Sequence, residues 1–537
     1  MAREPLRPMG PLYVTRRGLL RGGAGAAGAV ALGSLPLHRL GPAGALAQEP
    51  RQGGEIIYAL SSDPPNLDPH VGSGTAAQNV KVQIYSTLAT YAHDGTLQPD
   101  LAESWQVSED GLQYTFTLRA GVTFHDGTPL TAADVEASFQ RILDPATGAT
   151  RQLELSLISE MEVVDDRTIT LTLSAPNAAM LQYLAQPGIS IMSKKFLDEG
   201  GDPNTDMVGT GPFVFVSREP GVSTIVERNG SYYREGQPYL DRITFVPYQD
   251  ENTRMAAVQG GEVDIAEYVP WKDMAAIEGN PDLQLAAGDE SAFMCIMYNV
   301  REEPFSNPKV RAALSHAFDR QAISDAVFFG RGAPITGGII PTASWAYNAD
   351  LEGTQAFDPD RARQMLADAG YGDGFQATLL STSQYGMHQS TGEIAQQNLN
   401  EIGIQCELEL YDWATVVQRQ TEGNYQFRVH GLSPDILDPD FLTVFFGSGS
   451  SYSKSTGFSD EEIDRLLAEG RATLDQEARK AIYRQVEDRV LELAPWNFLS
   501  WRVQAEALQQ RVQGYTHLPG ALGFLSSITL QETWVEE

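Results

Sequence analysis

Two cysteines in 537 residues cannot build a disulfide framework. Cys295 and Cys406 sit in apolar, strand-like segments, FMCIMYN and IQCELEL, where buried thiols are common. An oxidising compartment would permit a bond between them, but free thiols are the expectation. The eight histidines are scattered and never show a spacing such as His-x₃-His, so neither a metal site nor a cofactor is expected. Catalytic signatures are missing as well: there is no Gly-x-Ser-x-Gly, no His-Glu-x-x-His, and no Cys–His pair beside an acid. The expectation is a protein that is not an enzyme. Positive charge is scarce too, with 38 Lys and Arg against 70 Asp and Glu. Nucleic acid and anionic lipid are excluded as partners, because both are gripped by basic patches. A solvated acidic surface that keeps the chain soluble is the reading of that charge. After the N-terminal run, no stretch approaches the roughly 20 apolar residues that a bilayer span needs.

What is present begins with an address. Thr15-Arg16-Arg17-Gly18-Leu19-Leu20 is a twin-arginine motif, followed by a weakly apolar Gly/Ala/Leu run over 19–37. Ala45-Leu46-Ala47 then makes a small-x-small cleavage site before Gln48. The run's glycines, Pro36 and His38 make a cleaved signal a better reading than a membrane anchor. Residues 1–47 are therefore expected to be a twin-arginine signal peptide, and the mature protein periplasmic. Losing six arginines and Glu4 with it leaves 32 basic against 69 acidic residues, a net charge of −37.

The remaining length exceeds one compact core, so two or three domains are expected. The stretch that organises them runs from Leu101 to Pro145, LAESWQVSEDGLQYTFTLRAGVTFHDGTPLTAADVEASFQRILDP. Its 113–119 segment alternates polar and apolar residues, as a half-buried strand does. Thr131, with Asp134 three residues on, is a capping-box-like helix start. Further helices are expected at 77–87, at 252–259, after Asn307-Pro308, after Asp358-Pro359 and after Ser459. Strands are expected at 54–60, 213–217, 263–265, 293–299, 379–381, 404–410, 427–430 and 496–501, with a hairpin turning at Asp165-Asp166. The glycines of Val208-Gly209-Thr210-Gly211-Pro212-Phe213 lack the Gly-Lys-Ser/Thr ending of a phosphate loop and read as structural.

The 101–145 block closely resembles the signature of the family 5 extracellular solute-binding proteins, the peptide- and nickel-binding receptors of ABC importers. NTRMAAVQGGEVDIA at 252–266 and VRAALSHAFDR at 310–320 are two further matches, and the likeness covers nearly all of 53–515. The resemblance implies an α/β, two-lobed class II periplasmic-binding-protein fold with an additional subdomain, its lobes joined by crossing strands. It places a first lobe at 48–95, 203–290 and 505–537, an inserted subdomain at 96–202, and a second lobe at 291–504. It also implies a monomer that captures a peptide or amino-containing small molecule by lobe closure and hands it to an inner-membrane permease. A nickel chelate or another non-peptide solute, such as an opine, glutathione or an oligosaccharide, is the alternative.

The resemblance also nominates site residues. Asp435, in Ser433-Pro434-Asp435-Ile436-Leu437-Asp438-Pro439, matches the aspartate that pairs with a peptide's α-ammonium, and Trp413 matches the tryptophan that covers the ligand. A carboxylate in a closed cleft gives a charge-assisted bond to an ammonium. The plainer alternative makes Asp435 a turn residue and Trp413 a core residue. Asn66, in Asn66-Leu67-Asp68-Pro69, matches a turn at the cleft and reads equally well as a simple Asp-Pro turn. Leu432 stands where peptide binders often carry an aromatic residue, and His430 and Ser433 replace small or apolar ones. Arg419 and Arg428 lie close in sequence, yet neither is assigned to a ligand carboxylate.

Overall fold

Among the described residues the chain forms five sheets, of which three are large and two have only two strands. The computed structural model describes residues 49–72, 74–288 and 291–536, and residues 50–537 form one contact unit. The expected signal segment lies outside the described residues.

A seven-stranded mixed sheet has the spatial order Leu283–Ala287, Ala505–Gln509, Ile265–Ala266, Glu55–Leu60, Arg242–Pro247, Ser223–Arg228, Phe213–Glu219. Ile56, Tyr58 and Leu60 turn inward from its central strand and pack with Phe213, Ile243 and Phe245. The strand expected at 263–265 is only Ile265–Ala266. Gly209 and Gly211 are structural, as expected: a Cβ on either would lie 1.9 and 2.5 Å from the carbonyl oxygens of Ile84 and Gln83. Only a residue without a side chain lets these two backbones approach so closely.

The inserted block forms an antiparallel four-stranded sheet, ordered Ala102–Val107, Gln113–Leu118, Thr168–Leu173, Ile158–Asp165. Tyr114, Phe116 and Leu118 face Ile169 and Leu171 in one core, covered by the helix Ala132–Leu143 through Val135, Phe139 and Ile142. Asp134 accepts from the Thr131 backbone N–H (2.8 Å) and hydroxyl (2.7 Å), the expected helix start. Two boundaries differ from expectation. The helix expected at 77–87 is Thr75–Ile84, because Tyr85 is extended. The later helix is capped by Asp460 rather than Ser459, its carboxylate accepting from the Ile463 N–H at 2.9 Å.

The third sheet is ordered Gly332–Pro334, Trp496–Arg502, Ala292–Tyr298, Phe427–Leu432, Gln376–Thr382, Gln405–Tyr411. Its last three strands are parallel and its first three antiparallel. The chain passes between this sheet and the seven-stranded one twice, between 287 and 292 and at 503–504, so two short crossings join them. Cys295 and Cys406 are both buried and free.

Candidate functional site

The parallel strands decide where a site can form. From Gln376–Thr382 the chain runs through the helix Gly386–Glu401 to Gln405–Tyr411, then through the helix Trp413–Glu422 to Phe427–Leu432, which lies on the other side of the first strand. Leu379 packs on one face with Ala395 and Leu399 of the first helix. Leu380, one residue on, packs on the opposite face with Val416 of the second. Helices that leave a parallel sheet on opposite faces open a crevice at the strands' carboxyl ends, the usual ligand position in open α/β sheets.

That edge is where ring systems and cations collect. Trp413 begins the second helix and His388 lies in the first turn of the other. The rings of Trp413 and His430 are near-parallel, 13° apart with centroids at 6.4 Å. His388 and Tyr385 meet Trp413 edge-on, both at 5.4 Å, and Tyr452 lies 5.9 Å from His430 on another side. Arg428, fully buried, donates from Nη2 to His430 Nδ1 at 2.7 Å, from Nη1 to Gln420 Oε1, and from Nε to the Val429 carbonyl at 3.3 Å. None of these acceptors is a carboxylate. Burial lowers the Arg428 guanidinium only to about 10, so it remains a cation at neutral pH. Burial first, then the Arg428 charge, push His430 well below the ordinary histidine range and take His388 down to about 3.

A guanidinium cannot accept a hydrogen bond. His430 Nδ1 must therefore be the acceptor, and the neutral ring carries its proton on Nε2. That Nε2–H has no partner among the described residues, nor does His388 Nδ1. Arg502, at the same edge of the sheet, lies 5.8 and 5.7 Å from the rings of Tyr268 and Trp271. It donates to Gln504 at 3.3 Å, while its Nε is unpartnered. Tyr268 belongs to the seven-stranded side and holds a φ of 59°, a strained conformation for a bulky residue. Arg254 stabilises that turn by donating to the carbonyls of Tyr248, Glu267 and Tyr268 at 2.8, 2.9 and 3.0 Å. On the flank of the edge, a cavity of about 870 Å³ is lined by Trp501, Val503, Ile335, Ile340, Tyr347 and Asn348.

Of the residues nominated from sequence, Trp413 and His430 are brought together here. Asp435 already has a cation: Arg151 bonds its Oδ2 and reaches Glu154 at 2.8 Å, while Asp435 Oδ1 is buried without a partner. Burial, then the Asp435 carboxylate, push the Tyr452 hydroxyl up to about 12, and the Tyr452 ring lies beside that of His430. Leu432 is a core residue paired across the ladder with Phe293. Ser433 turns its hydroxyl onto the Pro434 carbonyl at 3.0 Å. Asn66 closes its own turn, accepting from the Asp68 N–H at 2.7 Å, next to the Asp68–Arg141 pair, and is not brought to the cluster. Arg419 pairs with Glu409 at 2.8 Å. His388, Arg502, Tyr385 and Arg151 went unnoticed in the sequence, where nothing in their spacing marks them. No group of three metal-ligating side chains occurs among the described residues, and no helix there is long and apolar enough to cross a membrane.

The profile of the bacterial extracellular solute-binding proteins, family 5 middle region, matches residues 96–454. The chain belongs to this family. Among curated relatives, the glutathione-binding protein GsiB of Salmonella choleraesuis is 32% identical over 494 residues, covering 90% of this chain and 96% of its own. Heme-binding protein A of Haemophilus influenzae is 33% identical, covering 86% and 90%. Among solved structures, the binding protein AgaA of A. tumefaciens R10 in complex with agropinic acid superposes with a TM-score of 0.85 at 40% identity, covering 90% of this chain and 99% of AgaA. DppA of Helicobacter pylori in complex with the peptide STSA gives 0.82 at 26%, covering 91% and 99%. The fold is the two-lobed class II binding-protein fold that the family resemblance implied, and the family's members are solute-binding proteins that work outside the cytoplasm.

Proposed function

We propose that the protein is the solute-capturing receptor of an ABC importer, closing its two lobes on a peptide or another amino-acid-derived small molecule and delivering it to a membrane permease. The observation that carries this reading is the ring cluster of Trp413, His430, His388 and Tyr385 at the sheet edge, with buried polar atoms left unpartnered beside it. Native proteins satisfy nearly all buried polar groups, so unpartnered ones beside aromatic walls are what a ligand would complete. Relatives that take glutathione and agropinic acid support a solute of that size and chemistry. We place the protein in the periplasm, exported by the twin-arginine route, acting as a monomer without a cofactor and without catalysis. The boundaries 48–95, 203–290 and 505–537 for one lobe, 96–202 for the subdomain and 291–504 for the other belong to the same proposal.

A thermal-shift screen tests it. The panel holds di- to pentapeptides, glutathione, agropinic acid and other opines, oligosaccharides, heme and nickel chelates. A ligand that binds only the native state stabilises it by about 2.7 kcal/mol at about 100 times its Kd. The expected hit is a peptide or opine-class solute, lost with Trp413→Ala; silence across the panel would refute the ligand classes proposed here.

A further inference from the structure

The lobe closure proposed above turns on two chain crossings, and one buried acid–base pair stands at the root of both. His517 Nδ1 lies 2.6 Å from Glu506 Oε2, with only 4% and 7% of the two side chains exposed. Glu506 belongs to the strand Ala505–Gln509, which starts just after the crossing at 503–504. In that ladder Glu506 pairs with Ala286 and Ala505 with Ala287, so the other crossing leaves from the same end. Gly288 is the next residue out, and the imidazole lies against it: a Cβ there would stand 2.4 Å from His517 Cδ2. Gly523 bounds the ring on another side, where a Cβ would come 2.7 Å from Nε2. Two residues without side chains make the slot through which a ring reaches Glu506.

The other titratable groups packed at this root are acids. Burial, then the Glu506 charge, push the Tyr58 and Tyr515 hydroxyls up, and burial does the same to the Glu267 carboxyl. Glu267 accepts from the Ser61 N–H at 2.6 Å and from the Asn79 side-chain amide. Arg254 acts on Glu267 as well, but its donors go to the carbonyls of Tyr248, Glu267 and Tyr268 and it keeps its charge. Residues 283–288 and 518–530, which flank the ring, bring no titratable side chain. His517 is thus the base at this root that can gain and lose a proton. Burial alone would lower it, yet the Glu506 carboxylate more than offsets that, and the ring holds its proton above the ordinary 6.5.

We infer, resting on the receptor reading, that His517 is a positioning residue for lobe closure. As an imidazolium it neutralises Glu506 and ties the C-terminal segment to both crossings; as a neutral ring it leaves that carboxylate unanswered and the root of the hinge looser. The neutral ring still donates its Nδ1–H, so the tie weakens without breaking. Its full strength is present below 6.5 and is lost as pH rises through the raised value of His517. Solute capture therefore weakens as pH rises across that window.

The first test is hydrogen exchange of the purified protein, corrected for the intrinsic pH dependence of exchange. It is read at Val503, whose N–H donates to the Arg331 carbonyl at 3.0 Å, and at the paired Ala287 and Ala505. Opening at these amides should rise by about threefold or more as His517 loses its proton. His517→Asn sets an amide where Nδ1 stands and keeps the neutral hydrogen bond, so its opening should match that of the high-pH wild type at every pH. Glu506→Gln removes the charge from the other partner and should flatten the profile too. A flat wild-type profile, or a wild-type slope that persists in either variant, overturns the inference. These arms need no solute. With any solute that scores in the screen above, His517 followed by NMR should titrate at a higher pH in the complex than in the free protein, because closure and protonation favour each other. The same value in both states overturns the inference and leaves the receptor reading intact. A silent screen beside a pH-dependent hinge leaves the inference standing and counts against the ligand classes.

Discussion

Two arginines near the same edge are treated in opposite ways. Arg151 stands between Asp435 and Glu154, so its charge is more than matched by local carboxylates. Arg428 has only neutral acceptors. The first is an ion pair between the 96–202 segment and the Asp435 loop; the second, like Arg320, is a buried guanidinium held by neutral acceptors. Glu487 sharpens the contrast from the other sign. It is buried without a cation, accepting from the Ile339 and Ile340 N–H groups at 2.8 and 3.0 Å, and burial pushes its carboxyl up to about 7. A carboxyl can relieve its burial by holding a proton, which an arginine cannot do by losing one.

The comparison can be broken in several places. The largest effect is expected at the fully internal pair, where Arg479 donates to both oxygens of Asp438 at 2.8 and 2.6 Å. Arg479→Met strands that carboxylate and should cost about 3–5 kcal/mol in urea unfolding. Next comes Glu487. Between its ordinary value of 4.5 and about 7 the native state binds the extra proton, so stability is fullest at low pH and is lost as pH rises through 7. The change is roughly 3 kcal/mol between about pH 4.5 and about pH 7, and Glu487→Gln should flatten it. Arg151→Met should cost roughly 2–3 kcal/mol, because that site keeps some solvent. Adding Asp435→Asn should recover part of the loss in a double-mutant cycle. The smallest effect on folding is expected at the unbalanced centre: Arg428→Met removes an unpaired cation and should change ligand-free stability by less than about 1.5 kcal/mol. If Arg428→Met proves as damaging as Arg479→Met, the two arginines are not different in kind.

Much of the scaffold could be read from the chain alone. The Thr131–Asp134 start, the Asn307-Pro308 and Asp358-Pro359 helix caps, and the hairpin at Asp165-Asp166 are local chemistry, and local chemistry is written in adjacent residues. The helix expected at 77–87 ran three residues too far because Tyr85 satisfies its N–H on Lys81 and then turns extended to serve a tertiary contact. Trp413 is marked by a motif and His430 by its departure from one, but nothing in the sequence marks their partners. His388 and Arg502 reach the edge from elements far away in sequence, and no spacing rule joins them.

The sequence by itself determined the family, the half-buried strand at 113–118 and several helix starts, because each depends on motif, period, turn chemistry or capping over a few residues. Only the tertiary structure decided that Asp435 is answered by Arg151 while Arg428 is left with neutral partners. Charge balance in a buried site depends on which distant side chains arrive within a few ångströms, and it is set when the strand ends, the two diverging helices and the inserted subdomain come together.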